Sequence, residues 1–212
     1  MPVYFKKNNS DGSRIAIWRM TEKVDELFTF VQDSHILMSE VESFRSETRK
    51  KEWLTVRILL NEILKVAQPD EIIYDDKGKP HLPEGKGHIS FSHTKNFAAI
   101  IYHPERTVGI DIESMHERIE YISHKFLNAD EAAFITENQR KEMLHIIWGI
   151  KEVLFKIYGR GGVDFKNHLL VYPFKPDEEG IVKAEIKKDN RVKDFRINYF
   201  FTKEFLLVYG VG

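Results

Sequence analysis

The chain alternates between blocks of strand pattern and blocks of helix pattern, in an order that occurs twice. A strand over residues 15–20 precedes two helical segments and several strands, and after Glu113 further helical segments precede four alternating strands. Runs of strands separated from runs of helices are typical of α+β proteins, in which mostly antiparallel sheets pack with helices. We therefore predict an α+β fold with two halves, residues 1–105 and 106–212, although no sequence repeat relates them.

The composition excludes several classes of protein. The 212 residues include 42% hydrophobic side chains, enough for a core, and no cysteine, so disulfides, thiol catalysis and cysteine-ligated zinc are excluded. A cysteine-free chain with no apolar leader at its start is expected in the cytoplasm. The 32 basic and 33 acidic residues leave no charge excess for nonspecific nucleic-acid binding, and no apolar run approaches the length of a membrane span. We expect neither nucleic acid nor membrane as a partner.

The segment TVGIDIE, residues 107–113, combines a strand pattern with two carboxylates. Val108, Ile110 and Ile112 share one face of the strand. Asp111 and Glu113 share the other, about 6–7 Å apart. One interpretation is the solvent-exposed face of an antiparallel strand, where carboxylates are ordinary. The other is a site for Mg²⁺ or Mn²⁺, because oxygen ligands without cysteine or clustered histidines favour hard cations.

The segment HIIWGIKEVLFKIYGRGG predicts the end of a strong helix that runs over residues 140–158 and stops at Gly159. Trp148, Glu152 and Lys156 are successive i, i+4 neighbours on it. Glu152 and Lys156 could form a surface ion pair, which would stabilise the helix by only about 0.3–0.5 kcal/mol. They could instead be partly buried and supply an acid and an amine to a phosphate and metal site.

Two segments upstream carry groups that bind phosphate. Lys79 lies in the turn GKP, and the strand ISFSHT ends with Ser92 and His93, which can donate hydrogen bonds to phosphate oxygens. A lone histidine after a strand is more often structural than catalytic, so this motif by itself is not specific.

A long helix is predicted over residues 43–68. Lys50 and Arg57 follow the helical period beside its apolar stripe, which predicts a basic edge. The stripe consists of Trp53, Leu54, Ile58, Leu59 and Ile63. A helix cap is predicted at Asn128, with Glu131 three residues later.

Taken in order, GKP, FSHT, VGIDIE and WGIKEVLFKIYG resemble the motifs of the 4′-phosphopantetheinyl transferases, and specifically those of the larger, surfactin-type branch. The resemblance is strong over residues 76–165 and rests elsewhere on length and order of elements. It implies a monomeric pseudo-dimer of two similar α+β halves with a coenzyme A cleft between them. It also implies transfer of the phosphopantetheine arm of coenzyme A to a serine of an apo acyl or peptidyl carrier protein. Adenosine 3′,5′-bisphosphate would leave, and Mg²⁺ would be the cofactor, with Mn²⁺ as a substitute.

The same resemblance assigns roles to individual residues. The metal-binding residues are Asp111, Glu113 and Glu152. The catalytic residues are Asp111, Glu152 and Lys156, with Lys156 on the pyrophosphate. Glu152 is the best candidate for the base that takes the proton of the incoming serine, directly or through a water, and the identity of the base stays open. The residues that hold coenzyme A are Arg57, Lys79, Ser92, His93 and Lys156.

One position departs from the family pattern, and the acceptor stays open. Gly149 stands where the family usually has serine or threonine, and we interpret it as a sign of close packing. The carrier is expected to dock its acidic helix on basic side chains such as Arg140, Lys141 and Arg160. Two alternatives are a Mg²⁺-dependent phosphoesterase and a catalytically silent coenzyme A binding module. The sequence does not distinguish fatty-acid, polyketide and peptide-synthetase carriers, and whether acyl-coenzyme A is accepted stays open.

Overall fold

A computed structural model describes residues 3–31, 34–64 and 72–212. Contacts divide the chain into two compact units, Met1–Glu105 and Arg106–Gly212. Both units combine helices with antiparallel sheet, so the predicted mixture of helix and antiparallel sheet is confirmed. Among the helices of the described residues, none is both long and apolar enough to span a bilayer.

The first unit is built on a four-stranded antiparallel sheet with the strand order β1-β2-β6-β5. Its strands are β1 (Val3–Asn8), β2 (Arg14–Arg19), β3 (Ile73–Tyr74), β4 (Pro80–His81), β5 (His88–Thr94) and β6 (Phe97–His103), of which β3 and β4 form a separate pair. Its helices are α1 (Val24–Phe28), α2 (Ser34–Ser43) and α3 (Glu47–Leu64). The first strand was not predicted, because its apolar residues, VYF, are consecutive and do not alternate with polar ones.

Helix α3 packs its predicted apolar stripe into the core of the first unit. All five residues of the stripe are buried, which confirms the prediction. The predicted basic edge is wrong for Arg57, whose side chain is buried and lies over the Trp53 ring, 3.3 Å from the ring centroid. A long aliphatic stem and a flat guanidinium can pack on an aromatic ring, so helical position alone does not expose an arginine. The last predicted residues of this helix, 65–68, lie outside the described residues.

The second unit is a five-stranded antiparallel sheet with the order β7-β11-β10-β9-β8. Its strands are β7 (Val108–Glu113), β8 (Leu169–Val171), β9 (Glu179–Lys188), β10 (Arg191–Phe201) and β11 (Leu206–Val211). Its helices are α4 (Arg118–Ile122), α5 (Ala129–Phe134) and α6 (Arg140–Tyr158), with short 3₁₀ turns at Ser123–Lys125 and Glu137–Gln139.

Helix α6 forms the core of the second unit with the sheet and begins and ends where the sequence predicts. Gly159 closes it with a left-handed backbone (φ 65°), a conformation that favours glycine. The predicted cap of α5 is also confirmed. Asn128 Oδ1 accepts from the Glu131 N–H at 2.8 Å, and Glu131 Oε2 accepts from the Asn128 N–H at 3.1 Å.

Candidate active site

Two glycines bring α6 into close contact with the sheet. A Cβ on Gly109 of β7 would lie 2.5 Å from the backbone oxygen of Val153 on α6. A Cβ on Gly149 of α6 would lie 2.6 Å from Cγ2 of Val208 on β11. Real Cβ atoms do not approach other atoms so closely, so close packing explains the glycine at position 149. The consequence is that the carboxylate face of β7 lies directly under the helix.

Asp111 is buried under this helix, with only 6% of its surface exposed. Its Oδ1 accepts a hydrogen bond from Lys156 Nζ at 2.8 Å, and the same ammonium donates to the backbone oxygen of Ile110 at 2.8 Å. The interpretation of β7 as a solvent-exposed strand face is therefore wrong. So is the surface ion pair within α6, because the ammonium of Lys156 crosses to the strand and is itself partly buried.

Glu113 and Glu152 surround this pair and share the effects of burial and like charge. Burial and the negative charge of Asp111 raise the pKa of Glu113 to about 7, against the opposing effect of a hydrogen bond from Trp148. Burial and Asp111 likewise raise the pKa of Glu152 to about 7. Three carboxylates thus lie near one ammonium, and two of them hold a proton at neutral pH more readily than an ordinary glutamate does.

The donor chemistry of this cluster fits a hard divalent cation. Asp111, Glu113 and Glu152 offer only oxygen atoms, and a cation among them would relieve the repulsion that raises two of their pKa values. Within residues 3–31, 34–64 and 72–212, no three acidic, histidine or cysteine side chains already surround a common metal position.

Lys151, which directly precedes Glu152 on α6, has a structural role that none of the sequence motifs predicts. Its Nζ is fully buried and donates to Glu131 Oε2 at 2.6 Å, to the backbone oxygen of Phe126 at 2.7 Å and to that of Phe165 at 2.8 Å. Glu131 also accepts from the Val171 N–H, so the pair joins α5, α6 and β8. The available signal was the place of Lys151 on the apolar face of the helix, four residues after Ile147.

The coenzyme A residues predicted in the first unit lie on three different elements. Arg57 is on α3 and donates to the Trp53 backbone oxygen at 3.4 Å. Lys79 is in the turn between β3 and β4, where Asp75 Oδ1 accepts from the N–H groups of Lys77 and Lys79. The Lys79 side chain is half-buried, and this burial lowers its pKa.

Ser92 and His93 lie next to each other near the end of β5 and, as neighbours in a strand, point to opposite faces. His93 Nδ1 lies 3.1 Å from Glu52 Oε1 of α3. Lys79 lies near His88, at the other end of β5. Burial lowers the pKa of His88, and the positive charge of Lys79 lowers it further. The structure therefore places His93 against α3 and Lys79 at the start of the strand.

Comparison with known proteins bears directly on the second unit. Residues 107–203 match the family model of the 4′-phosphopantetheinyl transferase superfamily. The superfamily prediction is thereby confirmed for this segment, which is slightly less than half of the chain and contains Asp111, Glu113, Glu152 and Lys156. The match does not extend to the coenzyme A residues predicted in the first unit.

Other comparisons add little. No curated protein matches the chain at a significant level. A solved structure of holo-[acyl-carrier-protein] synthase from Thermotoga maritima is similar, with 22% identity and a TM-score of 0.38. The match covers 49% of this chain and 61% of that chain, less than two thirds of the synthase. At this level of similarity it carries no argument about function.

Proposed function

We propose that the protein transfers the 4′-phosphopantetheine arm of coenzyme A to a serine of an apo acyl or peptidyl carrier protein, as a transferase of the surfactin-type branch. The observation that carries the proposal is the buried arrangement of Asp111 and Lys156, with Glu113 and Glu152 beside them. This arrangement lies within the segment that matches the superfamily model. If Asp111 and Glu113 lay on a solvent-exposed strand face and Glu152 and Lys156 on a helix surface, these charges would not be buried.

The reaction needs one base and one cationic group, and α6 supplies both one turn apart. Glu152, with a pKa of about 7, accepts the proton of the carrier serine as its Oγ attacks the β-phosphorus of coenzyme A. The bond between that phosphorus and the bridging oxygen of the pyrophosphate breaks, and adenosine 3′,5′-bisphosphate leaves with the electron pair. Lys156 holds the pyrophosphate charge as it shifts to the leaving group.

Asp111, Glu113 and Glu152 would hold Mg²⁺, or Mn²⁺ in its place. The bound cation supplies neutralisation of the negative charge on the pyrophosphate. Asp111 is the most deeply buried of the three, so it fixes the position of the site, while the partly exposed Glu113 and Glu152 can approach a ligand from solvent.

The proposal assigns the nucleotide end of coenzyme A to the first unit, through Arg57, Lys79, Ser92 and His93. The pseudo-dimeric arrangement and the coenzyme A cleft are part of the same proposal. Its support is the resemblance of the GKP and FSHT segments. Coenzyme A affinity measured by calorimetry for Lys79→Ala and His93→Ala tests this part, with Lys95→Ala, an exposed lysine beyond the strand, as the control.

Charge complementarity supports a docking site for the carrier near Arg160, and less so near Arg140 and Lys141. Arg140 pairs with Glu137 and Glu120, and Lys141 pairs with Glu117. These two residues also begin α6, whereas Arg160 follows its end, about 28 Å away along the axis. Arg160 borders a concavity of about 430 Å³ whose lining includes the basic residues Lys188, Arg191 and Lys193, and this local basic surface is the reason to favour it.

Intact-mass spectrometry of an apo carrier protein, incubated with this protein, coenzyme A and Mg²⁺, tests the proposal. We expect the carrier to gain one phosphopantetheine arm, and to stay unmodified with Asp111→Ala or without metal. Glu178→Ala, which removes an exposed acid in the same unit, is the matched control and should leave the yield unchanged. Release of phosphate or nucleotide from coenzyme A without a carrier would favour the phosphoesterase. Coenzyme A binding without modification of any carrier in a panel would favour the silent binding module.

A further inference from the structure

Two histidines beside the carboxylate cluster have no role in the proposed reaction, yet their contacts are specific. His145 lies on α6 with 1% of its surface exposed, and His116 lies in the loop between β7 and α4. Their rings meet edge to face, with 5.0 Å between the centroids. The pair therefore joins the loop that follows Glu113 to the helix that carries Glu152.

The hydrogen bonds of His145 fix its tautomer. Its Nε2 accepts from the backbone N–H of His116 at 3.2 Å, so this nitrogen carries no proton. Its Nδ1 then carries the proton and donates to the backbone oxygen of Lys141 at 2.9 Å. Burial lowers the pKa of His145, which agrees with a neutral ring. A neutral, doubly bonded imidazole is a rigid link between α6 and the loop.

The loop is held at further points. Lys141 of α6 forms an ion pair with Glu117, the residue after His116. The Nε2 atom of His116 lies 3.8 Å from Glu113 Oε2, and Trp148, one turn after His145 on α6, donates a hydrogen bond to the same carboxylate. Glu113 is therefore contacted both by the loop and by α6. Both contacts depend on how the loop is placed relative to α6.

Packing alone does not explain the imidazole of His116. Its Nδ1 is buried and has no hydrogen-bond partner among the described residues. A buried, unpaired ring nitrogen costs free energy that an apolar side chain of similar size would avoid. The benefit of a histidine at this position is on the other side of the ring, where Nε2 faces Glu113.

We propose that His145 and His116 are positioning residues, which hold the Glu113 carboxylate in the orientation in which it binds the divalent cation together with Asp111 and Glu152. The inference rests on the proposed function, since it assumes the cation site. Residues that orient a metal ligand typically change metal affinity by about 10–100-fold when they are mutated. We expect an effect at the lower end of that range, because the 3.8 Å contact between His116 and Glu113 is longer than a hydrogen bond.

Binding of Mn²⁺ to the protein alone, counted by electron paramagnetic resonance of the free ion, tests the inference without catalysis. His145→Phe keeps a ring but removes the acceptor for the His116 N–H, and should weaken Mn²⁺ binding about 10-fold. His145→Gln should restore most of the affinity, since its side-chain oxygen can accept the same hydrogen bond. His116→Ala should weaken binding to a similar extent. Because His116 lies in a half-exposed loop, this variant keeps the inference testable if His145→Phe does not fold.

The controls separate the possible failures. His124→Ala removes an exposed histidine of the same unit and should leave Mn²⁺ affinity unchanged. Equal Mn²⁺ affinity in wild type, His145→Phe and His116→Ala would overturn the positioning role and leave the proposed function intact. A folded wild type that binds no Mn²⁺ would overturn the cation site and the inference with it. In carrier modification, the variants should raise the Mg²⁺ concentration needed for half-maximal rate while the KM for coenzyme A stays the same.

Discussion

Replacement of Lys151 by methionine should destabilise the second unit strongly. The ammonium of Lys151 and the carboxylate of Glu131 are 0% and 1% exposed, and their atoms lie 2.6 Å apart. Methionine matches the length of the lysine stem but cannot donate a hydrogen bond. The substitution would therefore leave the Glu131 charge buried without its cation, and would remove the donor from the backbone oxygens of Phe126 and Phe165.

The expected cost is about 3–5 kcal/mol, the usual effect of removing one partner of a buried ion pair. Glu131 keeps two backbone donors, the N–H groups of Asn128 and Val171, which favours the lower half of that range. For a chain of this size, such a loss lowers the melting temperature by about 6–20 °C. The double variant Lys151→Met/Glu131→Gln should lose less than the sum of the two single variants, because it leaves no buried charge.

Urea unfolding followed by circular dichroism measures the free energy of unfolding of each variant. Lys187→Met, which removes an exposed lysine from β9 of the same unit, is the control and should change the free energy of unfolding by less than about 0.5 kcal/mol. A loss of under about 1 kcal/mol for Lys151→Met would refute the reasoning. It would mean that the buried pair gains no more from its interactions than it costs in desolvation.

Three further predictions concern the cluster, its packing and the partner. At pH 7, Mg²⁺ binding should release about one proton, because Glu113 and Glu152, with pKa values of about 7, are each half protonated. Calorimetry in buffers of different ionisation enthalpy measures this release, which should disappear by about pH 9; no release at pH 7 would contradict the raised pKa values. Gly149→Ala should destabilise the protein in urea by about 1–2 kcal/mol despite the better helix propensity of alanine, because the new Cβ would overlap a β11 side chain; a gain in stability would contradict the close packing. Arg160→Glu should raise the KM for the carrier severalfold and leave the KM for coenzyme A unchanged. Arg140→Glu should raise the KM for the carrier less. Equal increases in the two variants would argue against a docking site at the end of α6.

The sequence predicts the helices and strands of the second unit well, because their patterns are strong and their ends carry specific signals. Helix α6 has a regular apolar face and ends at a glycine, and the spacing of Asn128 and Glu131 predicts the cap of α5. In the first unit, β1 was missed because an exposed edge strand has no alternating apolar pattern to detect.

The motifs single out charged residues as candidates for the site, but they do not predict how deeply each one is buried. Asp111 alternates with isoleucines in a strand, a pattern that predicts an exposed side chain, and yet it is buried. Arg57 lies beside the apolar stripe of its helix, where an exposed side chain is also predicted, and it is buried as well. Lys151 and Lys156 are five residues apart on one helix. The first is closed off in an ion pair, and the second reaches the acids of β7. Burial depends on which element covers a side chain, and this is a property of packing rather than of periodicity.

The same packing makes the candidate site a source of instability that a cation would relieve, and Glu152→Gln tests this. The pKa of Glu152 rises from 4.5 to about 7 on folding, so its contribution to stability is fully present below pH 4.5 and is lost as the pH rises through 7. At pH 8 without metal, Glu152→Gln should therefore melt at a higher temperature than wild type, because a neutral amide replaces a buried carboxylate. At pH 5 the difference should shrink, since Glu152 is then largely protonated in the folded protein. With Mg²⁺ at 100 times its Kd, wild type should gain about 2.7 kcal/mol and the variant much less. Glu178→Gln, an exposed control, should follow wild type throughout. If metal-free Glu152→Gln melts below wild type at pH 8, the ionised carboxylate stabilises the fold without a cation. The idea that its burial destabilises the metal-free protein would then be wrong.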